Sequence, residues 1–160
     1  MTDNPTVTVR RGIDAPIETV WTVATDLNDM PERMSVITGV DVLQGGDAFG
    51  VGTRWRETRV MMRREATVEM WVSELEKHRA YTVEADNAGV HYISTFTFTP
   101  VGDDATDVSM SFTGQPTSPP NVIMRLMGKL GLRVVRKSLE KDLEDIAKAA
   151  EDATVALNPT

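Results

Sequence analysis

The segment Thr53–Leu75 decides the fold, and its sequence is TRWRETRVMMRREATVEMWVSEL. It contains neither glycine nor proline, yet it is much longer than a typical strand of about five or six residues. Two strands joined by a tight turn explain such a length, and we place the turn at Met62-Arg63. The sequence therefore predicts a long β-hairpin.

A two-residue turn at Met62-Arg63 separates the hairpin side chains into two chemically different faces. The mostly apolar face, which is expected to meet the core, has these cross-strand pairs: Trp55 with Met70, Glu57 with Val68, and Arg59 with Ala66. The other face has a cation–aromatic pair, an opposite-charge pair and a threonine pair: Arg54 with Trp71, Arg56 with Glu69, and Thr58 with Thr67. A shift of one residue would mix the two sets, so the pattern favours this register.

Two more turns are predicted downstream, at Ala88-Gly89 and at Val101–Asp104. They put the following pairs on the inner face: Tyr81 with Phe96, Val83 with Ser94, Ala85 with Tyr92, Phe98 with Val108, and Phe96 with Met110. On the outer face the first turn sets His91 opposite Asp86. Successive hairpins of this kind predict an antiparallel meander with one apolar face, and they exclude a βαβ arrangement.

Shorter elements precede the hairpins. The patterns predict these elements in order: a strand over Thr6–Ile13, a helix with Pro16 at its first position, a short helix over Pro31–Met34, and a strand over Val36–Leu43. Val20 and Trp21 lie on the apolar face of the first helix. The chain thus alternates strand, two helices and strand before the long hairpin begins.

One long helix is predicted to end the domain. Ser118 is a suitable cap, and Pro119 then occupies the first helical position. Only Gly128 and Gly131 disturb the helical pattern up to about Ala153, so we expect one continuous helix across the concave face of the sheet. We expect residues 1–154 to form a single ligand-binding domain and residues 155–160 to form a flexible tail.

The order of these elements, with a seven-stranded antiparallel sheet and one long C-terminal helix, is the helix-grip arrangement of α+β proteins. Three segments carry a closer resemblance: IDAPIETVW (Ile13–Trp21), DLNDMP (Asp26–Pro31) and GVGTRWRET (Gly50–Thr58). With them the chain resembles the polyketide cyclase/dehydrase branch of the START-like, or SRPBCC, superfamily over nearly its whole length. The resemblance implies a curved sheet wrapped around the helix and an internal cavity. Members of that superfamily bind lipids, sterols, polyketides, ubiquinone or plant hormones, and some are aromatases or cyclases, but no catalytic residue is common to all.

Composition excludes several other classes of function. A net charge of −7 disfavours a nucleic-acid partner, because phosphate binding requires a basic surface. The absence of cysteine excludes disulfides, thiolate zinc sites and cysteine nucleophiles. The two histidines, His78 and His91, lie on different segments without the spacing of a transition-metal site. We therefore expect neither a metal nor a cofactor.

The sequence also suggests where the protein works. The N-terminus is polar and lacks the order of a signal peptide, and no apolar run approaches the roughly 20 residues of a membrane span. We therefore expect a cytoplasmic monomer or small homo-oligomer. Basic residues form a stripe on the terminal helix: Arg125, Lys129, Arg133, Arg136, Lys137 and Lys141. A solvated helix face is the usual explanation, and the alternative is a peripheral contact with an anionic membrane or an acidic partner.

The predicted inner face supplies the candidate site. The expected apolar ligand-binding residues are Trp55, Met70, Tyr81, Tyr92, Phe96, Met110 and Met127, and the expected polar ones are Glu57, Arg59 and Ser94. Glu57 is the candidate acid or base, but pairing with Arg59 would make it structural. Arg59 is either a clamp for an anionic headgroup or an ordinary arginine at the rim. His91 is expected outside the cavity in a surface ion pair with Asp86.

Two functions follow from this site. The first is binding or carrying of a hydrophobic small molecule, aromatic, polyketide-like or lipid-like, in the cavity. The alternative is a cyclase or aromatase in which the cavity folds a reactive chain and Glu57 moves a proton. The surroundings of Glu57 separate the two hypotheses, because an enzyme needs a carboxylate that is poor in solvent and within reach of the ligand.

Overall fold

The computed structural model describes residues 4–117 and 122–158, and for residues 122–130 it describes the helical backbone. The elements in chain order are β1 (Thr6–Ile13), α1 (Ile17–Thr25), α2 (Met30–Arg33), β2 (Ile37–Gln44), β3 (Arg54–Met61), β4 (Arg64–Glu76), β5 (Ala80–Asn87), β6 (Val90–Val101), β7 (Ala105–Pro116) and α3 (Val122–Leu157). This is the predicted order of a helix-grip protein.

The described strands form one antiparallel sheet in the order β1-β7-β6-β5-β4-β3-β2. Trp55 pairs with Met70 and Arg56 with Glu69, as the two-residue turn requires, so the predicted register of the long hairpin is confirmed. The downstream hairpins also have the predicted register, with Tyr81 opposite Phe96. Trp55 is buried and Arg56 is exposed, so the predicted faces are confirmed as well.

The turn of the long hairpin has a backbone conformation that its residues rarely adopt. Met62 and Arg63 both have positive φ, 51° and 64°. Side chains with a Cβ are strained in this left-handed region, which is why Asn-Gly is the preferred sequence for such a turn. The register of the strands and the burial of one face therefore determine the turn, although the turn residues themselves do not favour it.

Helix α3 is continuous past Gly128 and Gly131, as predicted. Its buried face includes Leu139, Leu143 and Ile146. The predicted start at Ser118 lies outside the described residues. At the other end the helix continues to Leu157, so part of the segment expected to be a tail is helical.

The two short helices close one end of the sheet. Pro16 is the N-cap of α1 and not its first helical residue, so the helix begins one residue later than predicted. Trp21 of α1 packs edge-on against Phe98 and Tyr81, with ring centroids 5.1 and 5.7 Å apart. This contact anchors α1 to the sheet and completes the core beside the cavity. None of the helices described has a segment that is both long and apolar enough to cross a membrane.

Candidate functional site

A cavity of about 320 Å³ lies between the inner face of the sheet and α3. Nine of the ten predicted ligand-binding residues line it: Trp55, Glu57, Arg59, Met70, Tyr81, Tyr92, Ser94, Phe96 and Met110. The side chain of the tenth, Met127, lies outside the described residues. Strand alternation is sufficient to explain the grouping, because every second residue of neighbouring strands faces the same side.

Aromatic rings form one wall of this cavity. The rings of Tyr81 and Phe96 stack with centroids 4.6 Å apart, and those of Tyr92 and Phe112 stack at 5.4 Å. The Tyr81 hydroxyl donates a 3.4 Å hydrogen bond to the carbonyl of Ala24. Burial raises the pKa of Tyr81, and the charges of two nearby carboxylates raise it further, so the phenol stays protonated. This wall offers flat apolar surface to a ligand.

A charged cluster interrupts the apolar lining, and we call Glu57, Arg59, Ser138 and Asp142 the Arg59 cluster. Arg59 Nε donates to Glu57 Oε1 at 3.0 Å. Arg59 Nη1 donates to Asp142 Oδ2 at 3.0 Å and to Ser138 Oγ at 3.1 Å. Glu57 and Asp142 are each only 4% exposed. One guanidinium is thus shared between two buried carboxylates.

Local geometry explains why the Arg59 cluster forms. Glu57 and Arg59 are two residues apart on β3, so both point inward. Ser138 and Asp142 are four residues apart on α3, so they lie on one helix face, which meets the same side of the sheet. Trp55 Nε1 adds a long hydrogen bond of 3.4 Å to Glu57 Oε2.

Burial has the largest effect on the pKa of Asp142. Removal from water raises the pKa of this carboxyl to about 6, although the charge and hydrogen bond of Arg59 act in the opposite direction. The charges of Glu57 and Asp145 raise it further. Burial acts to lower the pKa of Arg59, but Asp142 and Glu57 outweigh that effect and raise it. The guanidinium is therefore always charged, whereas Asp142 can gain or lose a proton near neutral pH.

Sequence reasoning missed the helix side of the cluster. Asp142 lies next to Leu143 and between Leu139 and Ile146 at helical spacing, so the pattern that predicted the apolar face also contained an acidic residue. An acidic residue on such a face signals a buried partner. Arg59, considered above as a clamp for an anionic headgroup or as a rim arginine, lines the cavity and is held there by two carboxylate partners.

His91 lies on the outer face of the sheet, as predicted. Its Nδ1 is 2.6 Å from Asp86 Oδ1, and its Nε2 is 2.8 Å from Glu84 Oε1. Hydrogen bonds to Asp86 and Glu84 raise the pKa of His91. These two carboxylates account for the position of the imidazole without any role in the cavity.

Other candidate features are weaker in the part of the chain that the structure describes. Within it, no three His, Asp or Glu side chains converge to hold a metal ion. Of the predicted basic stripe, Lys141 pairs with Asp145 at 3.0 Å and Arg136 donates to the carbonyl of Thr8 at 3.2 Å. Arg133 and Lys137 are exposed.

The sequence matches the family described as polyketide cyclase/dehydrase and lipid transport over residues 4–151. The chain belongs to this family. No curated protein matches the sequence closely enough to extend the assignment. Membership of this family, the fold and the geometry of the cavity together support the binding of a hydrophobic small molecule by this chain.

Solved structures share the fold of this family member. A protein of Thermus thermophilus is 23% identical with a TM-score of 0.78, covering 94% of this chain and 99% of its own. A norcoclaurine synthase point mutant from Thalictrum flavum, bound to a transition-state analogue, is 17% identical with a TM-score of 0.71, covering 96% and 99%. A START superfamily protein from Mycobacterium smegmatis is 18% identical with a TM-score of 0.68, also covering 96% and 99%. At these identities the similarity concerns the fold alone.

Proposed function

We propose that this protein binds and carries a hydrophobic small molecule, aromatic, polyketide-like or lipid-like, in the cavity under α3. The observation that carries the proposal is the lining itself, which combines stacked aromatic rings and methionines with one charged cluster. Small-molecule sites are generally built in this way, mostly apolar with a few convergent polar groups. The family description, which includes lipid transport, supports the same proposal.

The size of the cavity also supports a ligand. At about 320 Å³ it has about twice the volume of an engineered apolar cavity of roughly 150 Å³ that stays dry and binds benzene. Wall atoms without neighbours lose dispersion contacts, so filling the space with apolar atoms is favourable. Methionines such as Met70 and Met110 can adapt their shape to ligands of irregular outline.

An enzyme of the cyclase type is the second candidate, and Asp142 is the observation that favours it. The predicted acid or base, Glu57, is held by Arg59 and Trp55. Asp142 has a pKa raised to about 6 by burial and also lines the cavity, so it can exchange a proton near neutral pH. Carrying remains the first proposal because the same carboxylate has a structural role, holding Arg59.

Binding of an environment-sensitive apolar dye tests the proposal. The folded wild type should bind one dye per chain, because the structure offers one apolar cavity of suitable size among its described residues. Met110→Trp should weaken binding by about tenfold or more, since the larger side chain occupies ligand volume. Met62→Trp, a matched change at a position 78% exposed, should leave binding unchanged.

Two results would count against the proposal. The first is a folded wild type that binds no dye, which would mean that the cavity is filled by the protein's own side chains. The second is equal weakening by both substitutions, which would place the dye on the surface. Native mass spectrometry of the purified protein would then identify any ligand that copurifies, and turnover of that ligand would separate an enzyme from a carrier.

A further inference from the structure

The charges within the Arg59 cluster do not balance. Within the Arg59 cluster, Glu57 and Asp142 supply two carboxylates to a single guanidinium. All three side chains line the cavity, and both carboxylates are buried, so solvent does not screen the excess negative charge well. When Asp142 is ionised, this end of the cavity carries a net charge of minus one.

The second arginine of the cavity wall, Arg33, lies outside the Arg59 cluster. Arg33 of α2 lies 3.4 Å from Asp26 and 3.2 Å from Asp29, which are outside the cavity lining, and its buried Nη1 has no hydrogen-bond partner among the described residues. The carboxylate of Glu84 lies on the outer face of the sheet against His91. The excess of carboxylates is therefore confined to the Arg59 cluster.

The Arg59 cluster also has more acceptor capacity than its donors use. Each carboxylate has about four lone-pair sites. Glu57 Oε2 receives the long 3.4 Å hydrogen bond from Trp55, and Asp142 Oδ1 receives a 3.3 Å bond from the nitrogen that already serves Oδ2. Arg59, in contrast, already donates to Glu57, Asp142 and Ser138. The cluster is thus arranged to accept hydrogen bonds from a ligand.

We propose that the ligand of this cavity carries a protonated amine on an apolar body, and that the amine binds at the Arg59 cluster between Glu57 and Asp142. This inference rests on the proposed function and specifies its ligand class. An ammonium group brings both missing properties, a positive charge and hydrogen-bond donors. At the Arg59 cluster a carboxylate ligand would meet two like charges and an arginine that is already occupied, which is unfavourable in a buried site.

Three compounds with the same carbon skeleton test the proposal: phenylbutylamine, phenylbutanol and phenylbutyrate. Their displacement of the bound apolar dye is measured at a pH of about 8, where Asp142 is ionised and the amine is protonated. The amine should bind more tightly than the alcohol, and at least about tenfold more tightly than the carboxylate. The alcohol reports binding by apolar burial alone.

Two aspartate variants on α3 show whether the cluster causes this preference. Asp142→Asn removes one charge from the cluster and should reduce the amine-to-carboxylate affinity ratio to about one. Asp152→Asn removes the same charge from an exposed position on the helix and should leave the ratio unchanged. Glu57→Gln gives a second, independent removal of charge if Asp142→Asn fails to fold.

The preference should also depend on pH in a defined direction. The charged and titratable groups near Asp142 are Arg59 and Glu57 on β3, Tyr81 on β5 and Asp145 on its own helix, and Arg33 also lines the cavity. As pH falls through about 6, Asp142 gains a proton and the cluster loses its excess charge. Amine affinity should therefore fall toward that of the alcohol, and Asp142→Asn should remove this dependence.

The outcomes separate the two proposals. A carboxylate that binds as tightly as the amine, or a preference that survives Asp142→Asn, overturns the inference while leaving the cavity a binding site. Dye binding that none of the three compounds displaces also overturns it. Failure of the wild type to bind dye at all overturns the proposed function, and the inference with it.

Discussion

Asp142 is held between two opposing influences, burial and the charge of Arg59. The carboxylate is 4% exposed, and its Oδ2 lies 3.0 Å from Arg59 Nη1. Desolvation of a buried ion pair can exceed the attraction between its members, whereas removing one member leaves an uncompensated charge. The raised pKa of Asp142 shows that burial prevails at this residue, even with Arg59 present.

The stability of the protein should therefore depend on Asp142 in a particular pH window. Its pKa rises from the ordinary value of 3.8 to about 6 on folding, so its contribution to stability is fully present below about pH 4 and is lost as pH rises through 6. The shift corresponds to about 3 kcal/mol. Relative to wild type, Asp142→Asn should gain up to about 3 kcal/mol in free energy of unfolding between pH 4 and 7.

Denaturant unfolding at a series of pH values measures this difference. Only its slope with pH is diagnostic, because the substitution also changes the hydrogen bond to Arg59 by a constant amount. Asp152→Asn, on the exposed side of α3, is the matched control that removes a carboxylate of the same helix outside the Arg59 cluster. A flat or opposite slope for Asp142→Asn would show that Arg59 stabilises the charged form more than burial destabilises it.

The β3–β4 hairpin has a turn whose geometry its residues do not favour. Met62 and Arg63 adopt φ of 51° and 64°. A non-glycine residue in such a conformation costs about 1 kcal/mol or more. Replacing the pair with Asn-Gly should therefore stabilise the protein by about 1 kcal/mol or more, because this sequence adopts the two-residue turn readily.

Thermal or denaturant unfolding checks the turn prediction. Ala88, the first residue of the β5–β6 turn, has a similar φ of 51°, so Ala88→Asn is a matched change and should stabilise by a smaller amount. Loss of stability in the Met62-Arg63 variant would mean that these side chains contribute contacts that outweigh the strain of their backbone.

The outer face of β5 and β6 is expected to hold an unusually basic imidazole. Asp86 and Glu84 each lie within hydrogen-bonding distance of His91 and raise its pKa. An NMR titration should give His91 a pKa above the ordinary 6.5, and Asp86→Asn should lower it. A pKa for His91 at or below 6.5 would contradict these contacts.

The strands were the most predictable elements, because each side chain had a partner to be checked against. Trp55 with Met70 and Arg54 with Trp71 agree with one register and no other. The ends of helices were harder to predict than the strands. The first residue of α1 can move by one position, with Pro16 as cap or as first helical residue, and the apolar face of the helix stays the same. The C-terminal end of α3 at Leu157 is held by backbone hydrogen bonds, which the sequence of apolar and polar residues does not predict.

The candidate site was predictable on the sheet side and not on the helix side. Glu57 and Arg59 share a strand, so period-two alternation places them together. Asp142 and Arg59 are 83 residues apart, and only the packing of α3 across the sheet brings them into contact. A single sequence predicts the two apolar faces, but it gives no rotation of the helix against the sheet.

The molecule as a whole shares its fold with proteins of very different sequence, whereas the side chains of its cavity are its own. The three solved structures compared above are between 17% and 23% identical in sequence to this chain, yet their TM-scores lie between 0.68 and 0.78. A fold of this kind needs only apolar alternation, turns and one amphipathic helix, which many sequences supply. The Arg59 cluster is a feature of these particular residues, so ligand choice has to be argued from them.

The position of β1 has a consequence for how the chain folds during synthesis. Strands β2 to β6 each pair with the next strand along the chain, but β1 pairs with β7, and the bonded residues Thr6 and Thr113 are 107 positions apart. A ribosome therefore releases β1 first, yet this strand has no partner until nearly the whole meander has emerged. This strand can join the sheet only after β7 is available, and until it does the edge of β7 is open to other chains.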